Sequence, residues 1–323
     1  MARTAYIERT GGPEVIGWHD VTLPDPGVGE VRMRNTAVGL NFIDTYHRSG
    51  LYPIDLPGGL GSEAAGVVEA IGAGVTGFAP GDRVATFGPT RGAYATERNI
   101  RAAELFKLPD AIDDRTAAAL LLKGCTTEFL VERCARVQAG QSVLVHAAAG
   151  GVGQLLCGWL KAIGATVIAT VGDAEKVETA RKAGADHVIL YKQVDTAQAV
   201  RAIVGEGVAV TFDGVGKATW AASLASTARR GLVVSFGNAS CAVEGVDRGR
   251  LARSGSVFVT RPTLFDYYIT SEERAAGVAR VFEMRAEGAI TANIGQTFAL
   301  EDVAEAHRAL EAGKTQGATV LLP

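Results

Sequence analysis

The chain has 323 residues, 47% hydrophobic and 21% charged, with a formal net charge of −3, four cysteines and five histidines. That length suits two domains and the apolar content is enough for sizeable cores, while the mild acidity argues against a nucleic-acid-binding protein. The cysteines (Cys125, Cys134, Cys157, Cys241) show no paired spacing and read as reduced thiols of a cytoplasmic protein.

The opening M-A-R-T-A-Y-I-E has no apolar core of a secretory signal, and no apolar run approaches the ~18 residues a membrane span needs. The first third carries strand-like pieces at Glu30–Ala37, Gly66–Ile71 and Arg83–Phe87, separated by turns such as Pro24-Asp25-Pro26-Gly27 and Pro80-Gly81-Asp82. This texture predicts an irregular, largely antiparallel β domain. From about Arg115 the chain becomes alanine-rich and helical. The run Val143–Gly153, V-L-V-H-A-A-A-G-G-V-G, then reads as a buried strand opening directly into a helix. Val152, Leu155, Leu156, Trp159, Leu160 and Ile163 fall at helical intervals on one face. Bare amides at Gly150, Gly151, Val152 and Gly153 suit a pyrophosphate, because a helix N-terminus attracts anions and a Cβ there would block the approach. The first glycine of the usual G-x-G-x-x-G is Ala148, so the turn alone also fits another doubly wound protein.

The segments beyond this turn favour a dinucleotide. Ala165–Val171 predicts a second strand and Ala174–Ala183 a second helix. His187–Tyr191, Val208–Asp213 and Arg229–Phe236 predict further strands with helical stretches between them. The succession predicts an α/β, doubly wound parallel sheet of the Rossmann kind. The tail predicts a helix at Ser271–Glu287, a strand near Gln296–Ala299, a helix at Asp302–Ala312 and a strand at Ala318–Leu322. It is expected to complete the first domain, making the nucleotide domain an insertion, with the active site in a cleft between the two. No H-E-x-x-H, C-x-x-C or serine elbow occurs, and the histidines are far apart. His146 lies closest to the nucleotide turn and is expected to be a hydrogen-bonded spacer.

Several stretches resemble the quinone oxidoreductase, or zeta-crystallin-like, branch of the medium-chain dehydrogenase/reductase superfamily. They are A-V-G-L-N-F-I-D-T-Y-H-R-S-G-L-Y-P (Ala37–Pro53), G-S-E-A-A-G-V-V (Gly61–Val68), P-G-D-R-V (Pro80–Val84), L-L-K-G (Leu121–Gly124), H-A-A-A-G-G-V-G (His146–Gly153), S-F-G-N (Ser235–Asn238) and V-T-R-P (Val259–Pro262). The resemblance runs in order along the whole chain. It implies a GroES-like catalytic domain over 1–122 and 264–323 and a Rossmann domain over 123–263. Where the zinc alcohol dehydrogenases of the superfamily carry ligands, this chain has Asn41 and Ser62-Glu63, and Arg83–Ala103 holds no cysteine, so no metal is expected.

The resemblance also implies residue roles. Gly172, Lys176 and Tyr191 are expected on the 2′-phosphate of NADPH. Asn41 and Asp44 are expected on the nicotinamide ribose, Phe236, Gly237, Asn238 and Val259 near the nicotinamide, and Gln316 or Lys314 closing over the cofactor. Tyr46, Tyr52 and Arg261 are the expected catalytic residues, lining the pocket for a quinone. No acid stands in line at Thr170-Val171-Gly172, which favours NADPH over NADH. Asp173 cuts the other way. It is expected either to cap the helix at 174–183 or to repel a 2′-phosphate. The activity implied is NADPH-dependent quinone reduction by a homodimer, while the charge, the lack of a long apolar run and the cysteines predict a cytoplasmic protein without nucleic-acid or membrane partners. A reductase of activated alkenes and a non-catalytic NADPH-binding protein are the alternatives.

Overall fold

The first third of the chain is built from strands that change direction at glycine and proline, as expected. The computed structural model describes all 323 residues. It places β1 at Ala2–Ile7, β2 at Gly17–Val21, β3 at Glu30–Leu40, α1 at Phe42–Ser49, β4 at Gly58–Gly59 and β5 at Glu63–Ile71. β6 (Arg83–Phe87), β7 (Glu97–Arg101) and β8 (Leu105–Lys107) come next, and α2 (Asp114–Glu128) carries the chain onward. β3 organises this part. Val31, Met33 and Asn35 are buried while Arg34 between them is exposed, so the strand's first half turns one face to the core; Ala37–Leu40 are buried throughout.

The middle of the chain alternates strands and helices. β9 (Ser142–Val145) leads to α3 (Gly151–Ile163), β10 (Thr166–Val171) to α4 (Val177–Lys182), and β11 (His187–Leu190) to α5 (Thr196–Val204). β12 (Val208–Asp213), α6 (Trp220–Ser226), β13 (Thr227–Ser235), α7 (Arg248–Arg253) and β14 (Phe258–Thr260) continue the pattern, and α8 (Leu264–Tyr267) and α9 (Ser271–Ala286) close it. These six strands form one wholly parallel sheet in the order β11-β10-β9-β12-β13-β14. Val143–Val145 and Val167–Val171 are buried without a break, as strands covered on both faces must be. α3 buries Leu155, Leu156, Trp159 and Leu160 and stops at Gly164, whose φ of 89° makes the left-handed turn that ends a helix.

The last part adds β15 (Ile294–Ala299), α10 (Val303–Glu311) and β16 (Ala318–Leu322). They join β3 and β5–β8 in one sheet of order β15-β16-β3-β5-β6-β8, with β7 also on β3, while β2, β1 and β4 form a separate small sheet. The larger sheet is antiparallel except for β15 and β16, which run parallel because α10 connects them. Two units result, Met1–Leu122 with Ala292–Pro323 and Lys123–Thr291. The second unit runs past the residue 263 expected from sequence. α9 buries Val278, Val281 and Met284, and its Arg280 bonds Glu132 at 3.1 Å and lies over the Trp159 ring, so it groups with the parallel sheet. No helix is long and apolar enough to cross a membrane.

Candidate active site

In the first unit the expected residues gather where β3 hands over to α1. Asn41 is the N-cap of α1, in extended backbone. Its amide N–H donates to the Asp44 carboxylate at 3.0 Å, the reciprocal half of a helix-capping arrangement. Its side-chain Nδ2 donates to Glu63 Oε2 at 2.9 Å, and Glu63 Oε1 accepts from the Leu122 amide at 2.7 Å. Asp44 is fully buried and also accepts from Ser62 Oγ at 3.0 Å and from Tyr94 Oη at 2.9 Å.

The chain of bonds continues outward. His307 Nε2 meets Tyr94 Oη at 3.0 Å, and His307 Nδ1 meets Arg48 Nη1 at 3.1 Å. Arg48 then makes a two-pronged pair with Glu311 at 3.0 and 2.6 Å. A guanidinium only donates, so Nδ1 accepts and the proton of His307 sits on Nε2, aimed at Tyr94. The bonds from Arg48 through His307 and Tyr94 therefore point toward Asp44, while Arg48 also donates outward to Glu311.

Burial and the nearby Arg48 hold the His307 pKa down to about 3, and burial with Arg91 holds His47 down to about 4, against 6.5 for a free imidazole. The folded protein thus resists protons that the unfolded chain takes up below about pH 6.5. This stabilisation is complete above that pH and is lost as the pH falls, at about 1.4 kcal/mol per unit for the fully buried His307. Urea midpoints should fall between about pH 7.5 and about pH 5, and a flat profile there would contradict the buried neutral imidazoles.

Tyr46, on α1, and Tyr52, just beyond it, stand with ring centroids 5.2 Å apart at 65°. Phe42 and His47 extend this aromatic surface, 6.1 Å from Tyr46 and 6.2 Å from Tyr52. Gln316 also belongs to this unit, where its amide bonds Gln296 beside the β15–β16 pairing.

In the second unit the expected residues line the C-terminal ends of the parallel strands. The turn after β9 lies where strand order reverses, with β10 on one side and β12 on the other, which is the switch point at which doubly wound sheets bind ligands. Ala147 takes a φ of 53°, the Gly150 amide closes the turn on its carbonyl at 2.9 Å, and α3 begins with no side chain capping it. A Cβ on Gly153 would stand 2.3 Å from Ala147 O and 2.7 Å from Ala148 Cα, so only glycine lets helix and turn meet. The helix start thereby presents amides to an anion. His146 is buried and bonds Thr170 Oγ1 at 2.9 Å, the spacer role expected of it.

Gly172 and Asp173 come directly after β10, Lys176 sits one turn on, and Tyr191 comes directly after β11. Asp173 occupies the N-cap position but caps nothing. Its carboxylate pairs instead with Lys192 at 2.9 Å and Lys176 at 3.8 Å, and those cations hold its pKa below the usual carboxylate value. The expected capping role is therefore corrected. Lys192 was missed from sequence, although its place beside Tyr191 at a strand end was the available signal. Phe236, Gly237 and Asn238 come directly after β13, and Phe236 is tied by its amide to Asp213 O at 2.8 Å. With its amide turned to satisfy both neighbours, Asn238 accepts from Arg261 Nη2 at 3.2 Å. Val259, in β14, pairs with Val233. Asn238, Val259 and Arg261 are thus neighbours at one edge of the sheet.

An antiparallel β domain completed after an inserted, doubly wound sheet with a glycine turn at its switch point defines the class of medium-chain dehydrogenases and reductases. Residues 27–110 match the alcohol dehydrogenase GroES-like domain, and residues 151–283 match the family described as zinc-binding dehydrogenase. A quinone oxidoreductase of Pseudomonas aeruginosa is 48% identical over 100% of both chains. A 2-haloacrylate reductase of a Burkholderia species is 42% identical, over 100% of this chain and 99% of its own. The crystal structure of Escherichia coli quinone oxidoreductase complexed with NADPH superposes with a TM-score of 0.96 at 44% identity, covering 99% of this chain and 100% of that one. The chain belongs to the quinone oxidoreductase family of this superfamily. Zinc does not fit the residues at the corresponding place. Asn41 and Ser62 are an amide and a hydroxyl already bonded to Glu63 and Asp44, and no group of three or more His, Cys, Asp or Glu side chains is placed to hold an ion.

Proposed function

We propose that the protein reduces quinones with NADPH and without a metal. The observation that carries this is a glycine turn at the switch point that opens into an uncapped helix, in a chain whose Asn41 and Ser62 are an amide and a hydroxyl bonded to Glu63 and Asp44. The names of the full-length relatives support the acceptor and the cofactor. The uncapped start of α3 with Gly150, Gly151, Val152 and Gly153 holds the pyrophosphate, and Gly172, Lys176 and Tyr191 hold the 2′-phosphate. The proposal includes Asn41, Asp44, Phe236, Gly237, Asn238, Val259 and Gln316 as contacts of the cofactor. NADPH supplies the hydride; the protein supplies orientation and electrostatics. Tyr46 and Tyr52 offer ring faces to a flat quinone and hydroxyls to its carbonyl oxygen, and a water bound to them delivers the proton that completes the hydroquinone. Arg261 adds positive charge where the acceptor gains electrons.

Replacing Tyr52 with alanine should lower kcat/KM for quinones about tenfold and leave the NADPH Kd within about twofold, as loss of one stacking contact implies. An unchanged kcat/KM would remove the tyrosines from the site. An acceptor panel tests the class of reaction. NADPH oxidation fastest with 9,10-phenanthrenequinone supports the reading, and oxidation fastest with 2-chloroacrylate favours the alkene reductase suggested by the Burkholderia relative. Binding of NADPH with no acceptor-dependent rate favours a non-catalytic role. The reading includes a cytoplasmic location and a homodimer joined through β14, the edge strand of its sheet, where Phe258 is 63% exposed.

A further inference from the structure

The ends of β10 and β11 bring an acid and two lysines to one point. A Cβ on Gly172 would lie 3.2 Å from Tyr191 Oη and 3.3 Å from Lys192 Nζ, so the phenol and the ammonium both border the space above that glycine. Lys176 reaches the same acid as Lys192, and Asp173 spans them at 3.8 and 2.9 Å. The Lys192 and Asp173 side chains are 56% and 52% exposed, so both are free to swing. Two positive charges against one negative leave a net +1, whereas a phosphate monoester brings about −1.5 to −2. The carboxylate turns away from the helix amides it is positioned to cap and lies instead where an anion between two lysines would lie.

We propose that Asp173 is a tethered stand-in for the 2′-phosphate and that the Asp173–Lys192 pair sets the choice between NADPH and NADH. The proposal rests on the reading of Gly172, Lys176 and Tyr191 as the phosphate site. When the 2′-phosphate arrives, it displaces the carboxylate and takes Lys192 together with Lys176. When the cofactor lacks that phosphate, the carboxylate turns to the ribose hydroxyls, the task an acid near the end of the second strand performs in NAD sites. One residue thus opposes NADPH and favours NADH, while Lys192 does the reverse.

The test is equilibrium binding of 2′,5′-ADP, 5′-AMP, NADPH and NADH to the full chain by titration calorimetry. Asp173→Ser keeps a residue able to cap the helix turn. It should tighten 2′,5′-ADP and NADPH about fivefold and weaken NADH by a similar factor, the range of an exposed ion pair. Lys192→Met should weaken 2′,5′-ADP and NADPH about fivefold and leave 5′-AMP within about twofold. Unchanged or weaker 2′,5′-ADP binding by Asp173→Ser, or equal losses for both nucleotides in Lys192→Met, would overturn the inference and leave the phosphate site standing. Wild-type protein that binds 2′,5′-ADP no better than 5′-AMP, with Lys176→Met also without effect, would overturn the phosphate site and the inference together.

Discussion

Gly153→Ala should weaken NADPH binding on the order of a hundredfold, the scale of a displacement of about 1 Å in a positioned site. The added methyl would meet Ala147 O at 2.3 Å and Ala148 Cα at 2.7 Å, and both are backbone atoms that no rotamer change moves aside. Either α3 withdraws from the turn or the turn unwinds from Ala147, which already holds a left-handed backbone. In both cases the amides at the helix start lose their common aim, and the dipole they terminate no longer faces the pyrophosphate. Overpacking should also cost about 1–3 kcal/mol of stability. Measuring the unfolding midpoint beside the NADPH Kd separates the two effects. A folded Gly153→Ala variant that binds NADPH within about threefold of wild type would show that the cradle lies elsewhere.

The second large effect is expected at Asp44. Alanine there removes the acceptor for the Asn41 amide, Ser62 Oγ and Tyr94 Oη at once, at a fully buried position. Each buried donor left alone costs about 1–3 kcal/mol, and the shared site makes the sum less than additive, so a loss of about 4 kcal/mol is expected. Asp44→Asn should cost about half as much. Its oxygen can keep the Asn41 amide and Tyr94, and its NH2 can donate to Ser62, whose hydroxyl turns to accept. Because α1 carries Tyr46 and leads into Tyr52, the alanine variant should also lose quinone kcat/KM. Urea unfolding and quinone kinetics check this order. An alanine variant as stable as the asparagine one would mean that Asp44 does not anchor the network.

The nucleotide half of the molecule was legible because its signals are local. An apolar strand, small residues and a helical period at Val152–Ile163 set β9, the turn and α3, and the structure starts the helix at Gly151. The predicted strands at Val208–Asp213 and Ala318–Leu322 have those same bounds in the structure. What sequence did not show depends on distant partners. The Tyr94–His307 bond joins residues 213 positions apart, so nothing near either one marks Asp44 as the end of a chain of donors. Asp173 looked like a helix cap because its neighbours fit one, and only the return of β11 beside β10 brings Lys192 to it. α9 reads as a helix anywhere; its place in the second unit comes from Arg280 reaching Glu132 and Trp159. The π-helical turn at Phe129–Ala135 after α2 has no local sequence mark at all.

The most direct measurement is the rate of NADPH-dependent 9,10-phenanthrenequinone reduction before and after exhaustive dialysis against a strong chelator, and then after addition of zinc. The expected result is rapid turnover that dialysis leaves unchanged and zinc does not raise. Activity that disappears with the chelator and returns with zinc would contradict a site in which Asn41, Ser62, Asp44 and Glu63 are bonded to one another.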